Sequence, residues 1–413
     1  MGKSMRAEPF ILGRDKHGLS RREVDSDALK VLYRLHNHGF KAYLVGGAVR
    51  DLLLGRRPKD FDVATDARPG EIKKLFKNAF LIGRRFRLAH IRFRGGKIIE
   101  VATFRREADE DDSADIHNTF GTAAEDAFRR DITINALFYD IATFSIIDYI
   151  GGLKDLDHGI VRVIGEPFKR FQEDPIRILR VLRHAARLNF SIDDATAHAI
   201  YPARELIASC SGARMYEEFT KDMHSGYLMP VLALMDLYGV LSQVFGAIGS
   251  FLTLNPSAMA QILDCITFVD QSIQAGQTFK PESILALLFF PWADQVLHHA
   301  QQRSDRGKII HDAFMESGLQ ATIPKTVRSG CIQILMIIAA MDTALRTGRF
   351  PWSLKKRALY GDAAWIFALI FNRDLLQEDD PFPVAFSQKY PQTKPPKRRR
   401  RRSARGAKKR LSP

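Results

Sequence analysis

The sequence has 413 residues, 46% of them hydrophobic, which is enough for a sizeable core and for two or more cooperating domains. Its 62 lysines and arginines exceed its 47 acidic residues by 15, which favours a polyanionic partner over a small neutral ligand. No signal-peptide-like stretch opens the chain, and the apolar run 331–338 is too short to span a bilayer, so we expect a cytoplasmic protein without membrane contact.

The three cysteines, Cys210, Cys265 and Cys331, are far apart in the sequence. They show neither CxxC spacing nor the nearby histidines of a zinc site. We therefore expect buried thiols in a reducing compartment.

The first part of the chain alternates short strands and helices. Residues 1–24 are polar and basic without a sustained period and are predicted to form a flexible arm. Leucines at helical spacing then predict a helix from Asp25, and residues 41–45 predict a strand that runs into Gly46-Gly47 and a helix at 48–54. Further strands are predicted at 61–64, 89–93 and 97–104, and a helix at 69–76.

The rest of the chain is predicted to be mostly helical, with long stretches such as 174–188 and 214–223. Much of the net positive charge lies in residues 394–410, a low-complexity segment that we expect to be disordered. The fold class is therefore α+β: a small mixed-sheet head, a mostly α-helical neck and body, and a disordered basic C-terminal tail.

Asp60-Phe61-Asp62 is the most informative tripeptide in the chain. A strand has a period of two, so both carboxylates face one side while Phe61 faces the core. Paired oxygen ligands suit magnesium, and two ions roughly 4 Å apart can serve phosphoryl chemistry. A DxD alone is more often a solvated turn.

Gly46 and Gly47 lie between a predicted strand and a predicted helix, where backbone amides can approach a triphosphate and Arg50 can add a positive charge. An ordinary strand-to-helix turn is the alternative.

Glu100 interrupts the apolar run 98–102, where a buried carboxylate would need a metal or a charged partner. It is a candidate third carboxylate, or an edge-strand residue that faces water.

Arg129-Arg130-Asp131 precedes a buried-looking run that contains Asn135. Guanidinium groups pair well with phosphate and ribose oxygens, although the same cluster also fits a structural salt-bridge network. Further on, Asp174 and Arg177 open a helix and offer an acceptor and donors to a base edge, and arginines recur at three-residue spacing as Arg180 and Arg183.

In their order, these motifs resemble the bacterial and eukaryotic class of the polymerase-β-like nucleotidyltransferases, the family of CCA-adding enzymes and bacterial poly(A) polymerases. The resemblance covers roughly residues 40–225. It includes the GGxVRD opening at 46–51, the DxD, the RRD motif, a head-to-neck hinge at 148–156, the EDxxR motif at 173–177, and a motif at 213–218 that braces the neck helices.

The resemblance implies the role of each site residue. Asp60 and Asp62 would hold Mg²⁺, as two ions in the family's pattern, while Asp131 belongs to the catalytic set and Glu100 joins it by strand context. Nucleotide binding would involve Gly46, Gly47, Arg50, Arg130, Asn135, Asp174, Arg177, Arg180 and Arg183. In the tail, the candidates for RNA binding are Lys397, Arg398, Arg399, Arg400, Arg401 and Arg402.

The resemblance over residues 40–225 and the composition of the rest together predict a domain order. Residues 1–24 form the basic arm, 25–150 the nucleotidyltransferase head, 151–225 a nucleotide-reading neck, 226–385 an RNA-binding body and 386–413 the tail. The segment 81–93 resembles the signature of poly(A) polymerases, and the basic tail points the same way.

The leading interpretation is template-independent polyadenylation of RNA 3′ ends, in which ATP is the substrate and pyrophosphate is released. A CCA-adding enzyme that uses CTP and ATP is the runner-up, and an inactive RNA-binding protein is a third hypothesis. Expected partners are RNA 3′ ends, ATP and proteins of RNA decay, and we expect a monomer.

The pair His311-Asp312 lacks the spaced histidines of a metal phosphohydrolase and is expected on a surface helix.

Overall fold

The computed structural model describes residues 8–83, 88–106, 120–299, 306–347, 349 and 351–371. Its strands are β1 Phe10–Leu12, β2 Ala42–Val45, β3 Asp62–Thr65, β4 Ala79–Ile82, β5 Leu88–Arg92, β6 Ile98–Thr103, β7 Leu137–Asp140, β8 Ser145–Asp148, β9 Ile160–Val161 and β10 Ser191–Ile192. The predicted tail lies outside the described residues.

The helices of the first half are short, and those of the second half are longer. They are α1 Ser26–Asn37, α2 Gly47–Leu53, α3 Pro69–Leu75, α4 Ala123–Phe128, α5 Gly152–Asp157, α6 Pro167–Glu173, α7 Ile176–Leu188, α8 Asp194–Ala203, α9 Gly212–Met223, α10 Leu228–Leu237, α11 Leu241–Leu254, α12 Pro256–Gln274, α13 Pro281–His299, α14 Arg306–Glu316, α15 Lys325–Thr347 and α16 Tyr360–Phe371. The predicted α+β class, with a mixed-sheet head and a mostly helical remainder, is confirmed.

Eight strands form one mixed sheet in the order β1-β8-β7-β2-β3-β6-β5-β4. All neighbours are antiparallel except β3 and β6, which run parallel. Helices α1 and α3 pack on one face, where Val63, Ile91 and Val101 are buried. On the other face, α4 contributes Ala123 and Ala127 to a cluster with Val45, Ala64, Phe104 and Phe138. Among the described residues this cover does not reach β5 and β4, and we call that side of the sheet the open face.

The prediction of a flexible arm over residues 1–24 is wrong for the described part of that segment. Strand β1 pairs antiparallel with β8, matching Phe10 with Asp148. Leu19 is fully buried, and the carbonyl oxygen of Phe144 lies 2.9 Å from Nε2 of His17. Strand β1 has only three residues, too few to show a period in the sequence, and it is defined by its pairing with β8.

The segment 148–156, predicted as a hinge, is a tightly bonded connection. Asp148 is buried, and its carboxylate accepts hydrogen bonds from the N–H groups of four residues, Ile150, Gly151, Gly152 and Leu153, at 2.9–3.1 Å. A Cβ on Gly152 would lie 2.3 Å from the carbonyl oxygen of Thr133, so only glycine fits there. Thr133 in turn donates to Asp155 at 2.7 Å.

The chain divides into two compact units, Met1–Cys331 and Ile332–Pro413. In the described part of the second unit, α16 is apolar and buries Ala363, Ile366 and Phe367. The thiols of Cys265 and Cys331 are buried and that of Cys210 is half-buried. His311 and Asp312 are exposed on α14, which fits the surface-helix interpretation.

The expectation about membrane spans needs a correction. Within the described residues, the segment Lys325–Ala344 of α15 is long and apolar enough to cross a bilayer, and α10 with α11 would pass the same test only across an 89° bend. The apolar run 331–338 is therefore part of a longer helix, and the length of the run alone does not exclude a membrane span. Of this apolar segment 39% is buried, including Ile334, Ile338 and Met341.

Candidate active site

The DxD carboxylates lie where β3 begins. Asp62 is the first residue of β3 and pairs with Val45, the last residue of β2, while Asp60 precedes the strand. Both acids reach solvent, and Phe61 between them is half-buried rather than a core residue. The strand register therefore applies to Asp62 alone, and the nearness of Asp60 is seen in the effect of its negative charge on Asp62.

The Asp62 carboxylate has a raised pKa. Its pKa rises to about 6 because the surrounding protein desolvates the carboxylate and because the negative charges of Glu100 and Asp60 lie nearby, while Arg130 opposes the rise. Although the Asp62 side chain reaches water, the site holds more negative charge than its neighbours balance. Such a site favours a bound cation.

Glu100 is neither buried nor on an edge strand. It lies in β6, between β3 and β5, and its side chain is 47% exposed. Because Val63 pairs with Val101, the preceding residues Asp62 and Glu100 are neighbours on the open face. Glu100 also lies 3.3 Å from Nε2 of His90 on β5. The sheet thus brings the candidate third carboxylate beside the DxD pair.

The donor set fits magnesium. Among the described residues no group of three acidic, histidine or cysteine side chains is arranged as a preformed metal cage. Magnesium does not require one, since it is commonly held by one or two carboxylates together with waters and substrate phosphates. Asp60 and Asp62, with the excess negative charge that raises the pKa of Asp62, meet that requirement.

The glycine pair forms the turn between β2 and α2. Gly46 has φ 69° and ψ −134°, a conformation that a side chain would strain. A Cβ there would also lie 3.2 Å from Nη1 of Arg130. Since Gly46 directly follows Val45, the partner of Asp62, the turn lies next to the DxD pair. Its bare backbone leaves room for a phosphate group to approach.

Arg130 lies between this turn and the sheet. Asp126 accepts hydrogen bonds from its Nε and Nη2 at 3.2 and 2.9 Å, and the carbonyl oxygen of Asn135 accepts one from Nη1 at 3.2 Å. The guanidinium lies 5.2 Å from the ring centroid of Phe138. These contacts therefore fix its positive charge beside the glycine turn. Arg129 is 3.5 Å from the same Asp126 carboxylate.

The structure places Arg50 in the interior, only 2% exposed. Its guanidinium donates to Asp51 at 2.6 and 2.8 Å and to the side-chain oxygen of Asn135 at 2.5 Å. Arg50 and Asn135 are thus brought together, but as a brace between α2 and the 3₁₀ turn Thr133–Asn135. Direct contact of either side chain with a nucleotide stays a prediction.

His184 completes this brace and was not anticipated from the sequence. Its Nδ1 lies 3.3 Å from Nη1 of Arg50, and its Nε2 lies 3.2 Å from the side-chain nitrogen of Asn135. Burial and the nearby arginines, Arg50 first among them, lower the pKa of His184 well below its usual value. The ring is therefore neutral, and it connects α7 to the head. Its sequence signal was weak, since a lone histidine next to Arg183 has no motif.

Asp131 holds two of the predicted nucleotide-reading arginines. Its Oδ1 accepts from Nε of Arg177 at 3.0 Å, and its Oδ2 accepts from Nη1 of Arg180 at 2.6 Å. Burial opposes its ionisation, but Arg180 and Arg177 together lower the pKa of Asp131. Of the two interpretations of the RRD motif, the salt-bridge network is the one seen for Asp131.

The network continues into α9. Glu218 accepts from Arg180 at 2.9 Å and from Arg183 at 2.5 Å, and Arg183 is also paired with Asp222. Burial raises the pKa of Glu218, but Arg183 and Arg180 more than compensate and bring it to about 2. Arg183 is therefore a buried structural residue here. Glu218 ends the segment 213–218 that was predicted to brace the neck helices, whereas Asp222, one helical turn further along α9, was not predicted.

Asp174 lies nearer the surface than these pairs. Its carboxylate accepts from Nη2 of Arg214 at 2.9 and 3.1 Å, and the two side chains are 22% and 52% exposed. Arg177 additionally donates to Glu173 at 3.1 Å. The RNA-binding candidates of residues 397–402 lie outside the described residues.

Comparisons with known proteins place the chain in one family. The profile described as "Poly A polymerase head domain" matches residues 42–162, and the one described as "Probable RNA and SrmB- binding site of polymerase A" matches residues 189–251. Poly(A) polymerase I of Escherichia coli O6:H1 is 38% identical over 387 residues, which span 88% of this chain and 82% of that protein.

The chain is also similar to a CCA-adding enzyme and to a tRNA nucleotidyltransferase. The CCA-adding enzyme of Lactobacillus helveticus is 41% identical over 201 residues, 48% of this chain and 50% of that protein. A tRNA nucleotidyltransferase solved with a primer tRNA and an incoming ATP analogue superposes with a TM-score of 0.59 at 25% identity, covering 82% of this chain and 94% of that one. With Asp62 and Arg130 beside the same glycine turn, the chain belongs to the tRNA nucleotidyltransferase and poly(A) polymerase family of template-independent RNA 3′ nucleotidyltransferases.

Proposed function

We propose that the protein is a polynucleotide adenylyltransferase that extends RNA 3′ ends with AMP from ATP. The observation that carries this choice is the extent of the similarity. The match to Poly(A) polymerase I runs through 82% of that protein, whereas the match to the CCA-adding enzyme of L. helveticus ends at half.

In the proposed reaction the RNA 3′-hydroxyl oxygen attacks the α-phosphorus of ATP. A new phosphodiester bond forms as the bond to the β-phosphate oxygen breaks, the hydroxyl proton is lost to solvent, and pyrophosphate leaves. No covalent enzyme intermediate is needed. The catalytic contribution of the protein is then positioning and electrostatic stabilisation.

The site residues divide this work between them. Gly46 and Gly47 let the triphosphate approach the backbone, and Arg130 provides a fixed positive charge beside them. Asp60 and Asp62 would hold Mg²⁺, with Glu100 as a third carboxylate next to Asp62. When bound, the metal supplies charge stabilisation for the phosphates and acidifies an oxygen nucleophile.

Nucleotide selection is proposed for the start of α7. Asp131 holds Arg177 and Arg180 in place, so their remaining N–H groups have a defined direction before any nucleotide binds. Asp174, held by the exposed Arg214, provides an acceptor in the same region. A preset pattern of donors and acceptors can read one base edge without a template.

CCA addition is the second candidate, and one observation favours it. The solved structures that superpose on this chain include a CCA-adding enzyme of Bacillus stearothermophilus with CTP, at a TM-score of 0.51 and 25% identity. The two activities share the head chemistry. They differ in which nucleotides are used and in when extension stops.

The deciding experiment gives the purified full chain a single-stranded RNA without tRNA features and each nucleoside triphosphate separately, with Mg²⁺. We expect a long run of adenylates from ATP and little incorporation of CTP, measured as product length on a sequencing gel. The control substrate is a tRNA that lacks its terminal CCA. A discrete extension of three nucleotides, confined to that tRNA and dependent on CTP, would contradict polyadenylation while leaving the reaction type intact.

The setting of this activity is also a proposal. Relatives of this type act on RNA and nucleotides, and we propose a cytoplasmic monomer that works alongside RNA-decay proteins. Sedimentation velocity of the purified chain tests the monomer, and an equilibrium between larger species would contradict it.

A further inference from the structure

A row of side chains leads from the DxD pair across the open face of the sheet. Hydrogen-bonded strands match Phe80 on β4 with His90 on β5, and His90 with Glu100 on β6. Glu100 is followed on β3 by Asp62, through the register that pairs Val63 with Val101. Side chains of matched residues project from the same face, so Phe80, His90, Glu100 and Asp62 form one continuous line.

The outer half of this line is exposed, aromatic and basic. Phe80 is 45% exposed on the edge strand, and the guanidinium of Arg92 lies 4.5 Å from its ring centroid. The ammonium group of Lys73 lies 5.1 Å from the same ring. Ile98, which is paired with Arg92, is 41% exposed. On the opposite face, α3 packs against β4 and β5 and α1 packs against β6, although Leu81 of the edge strand is 41% exposed on that face as well.

We propose that this platform, made by Phe80, His90 and Arg92, holds the single-stranded segment of the RNA just upstream of its reactive 3′ end. The proposal rests on the function proposed above and assigns the RNA path within that same site. A base stacks on the Phe80 ring, and Arg92 neutralises a neighbouring phosphate. The 3′-terminal nucleotide then extends along the row towards Glu100 and Asp62.

The chemistry of the surface favours RNA as the occupant. Sequence-tolerant recognition of single strands relies on aromatic rings that stack on bases and on cations that track the phosphates, and the platform has both. The position agrees with this role. Strands are about 4.8 Å apart, so Phe80 lies roughly 14 Å from the Asp62 strand, beyond the reach of the terminal nucleotide's own base contacts.

The test measures binding of a fluorescent single-stranded RNA to the full chain without ATP, so that it does not depend on catalysis. Phe80→Ala should weaken the affinity by about 5- to 100-fold, the range expected when one base stack is removed. Phe80→Trp should restore most of it, whereas Phe80→Leu should not, because Leu retains apolar area but no ring. The matched control is Phe10→Ala, which removes an aromatic ring that is 60% exposed on β1, the opposite edge of the same sheet.

The outcomes separate this proposal from the proposed function. If Phe80→Ala and Phe10→Ala bind the RNA as the wild type does, the platform is wrong, even where the wild type makes long adenylate tails. If the wild type makes no adenylate tails, while Phe80→Ala weakens RNA binding and Phe10→Ala does not, the proposed polyadenylation is wrong and the platform is supported. A variant that changes the sedimentation of the protein and not its RNA affinity would identify the platform as a protein-binding surface and overturn the proposal.

Discussion

Asp62 and Arg183 differ in how far the neighbouring residues balance the charge of the side chain. Asp62 has like charges around it and a raised pKa of about 6, so its surroundings are incomplete without a cation. Arg183 is surrounded by the carboxylates of Glu218 and Asp222, which raise its pKa against the effect of burial. Its surroundings are already complete. The first pattern is typical of a site that binds something, and the second is typical of a structural connection.

At the residue scale, the DxD pair is open to a direct test. Asp60→Ala and Asp62→Ala should each lower the rate of adenylate transfer by more than about 100-fold. Loss of a residue that only supports a metal ligand costs up to about 100-fold, and loss of the ligand itself should cost more. The fold should be retained because both side chains reach solvent. The measurement is the initial rate of RNA extension at saturating ATP, with circular dichroism as the check on folding.

The control for this pair is Asp66→Ala, which removes an exposed carboxylate just beyond the other end of β3. Asp66 accepts a hydrogen bond from the N–H of Lys41 at 2.8 Å and lies away from the glycine turn. Its removal should leave the rate near that of the wild type. Near-normal turnover by Asp60→Ala or Asp62→Ala would refute the metal assignment.

Site residues could be predicted from the sequence where their role depends on local geometry. The DxD acids and the glycine turn need only a strand, a turn and a helix in succession, and the strand register brings them together. The arginines are different, because a guanidinium can bind a phosphate or a carboxylate equally well. Only the fold shows that Arg50 faces Asn135 and that Arg183 faces Glu218.

At the scale of elements, α7 is connected to both the head and α9 by charge. Asp131 from the head takes Arg177 and Arg180, and Glu218 from α9 takes Arg180 and Arg183. Arg180 is therefore shared between the two acids. The position of the proposed nucleotide-reading arginines depends on α9 as much as on the head.

The prediction that follows is a difference between two neighbouring glutamates of α9. Glu218→Gln removes a carboxylate that is 4% exposed and leaves two arginines short of a partner, which should destabilise the protein by about 3–5 kcal/mol. Glu217→Gln is the same chemical change at a side chain that is 70% exposed and forms an ion pair with Lys221 at 3.2 Å, so its effect should be below about 1 kcal/mol.

The midpoints of urea unfolding of both variants give the comparison. The KM for ATP provides a second measurement, since a displaced Arg180 should weaken nucleotide binding in Glu218→Gln and leave it unchanged in Glu217→Gln. Equal stability of the two variants would mean that the network contributes nothing to the position of α7.

Most elements of the head could be predicted, and those that could not share a physical reason. Strands β3, β5 and β6 lie within one or two residues of their predicted bounds because their apolar runs are flanked by glycine or charge. Strand β1 has three residues, and β7 and β8 have four each, nearly all of them buried, on either side of a short connection. Periodicity does not resolve such short or doubly buried strands.

At the scale of the whole molecule, the basic residues 394–410 offer a test that does not depend on the described structure. Deleting them should weaken RNA binding without changing nucleotide choice, because their charges displace counterions irrespective of sequence. The plot of log affinity against log salt should flatten by roughly 0.7 for each single-strand phosphate that the shortened protein no longer neutralises. A deletion variant with an unchanged salt slope would show that the tail serves another purpose.

The pairing of β1 with β8 also has a consequence for folding of the nascent chain on the ribosome. Strand β1, Phe10–Leu12, is synthesised well before its partner Ser145–Asp148, and the hydrogen bonds between them cannot form until that partner has been made. More than a hundred residues of nascent chain must therefore be synthesised while β1 has no place in the sheet, and at about 5–20 residues per second that wait lasts for several seconds. Phe10 and Ile11 are 60% and 59% exposed even in the folded protein, so what this interval adds is an unpaired backbone edge beside two apolar side chains, and we expect early chaperone capture to aid folding of the head.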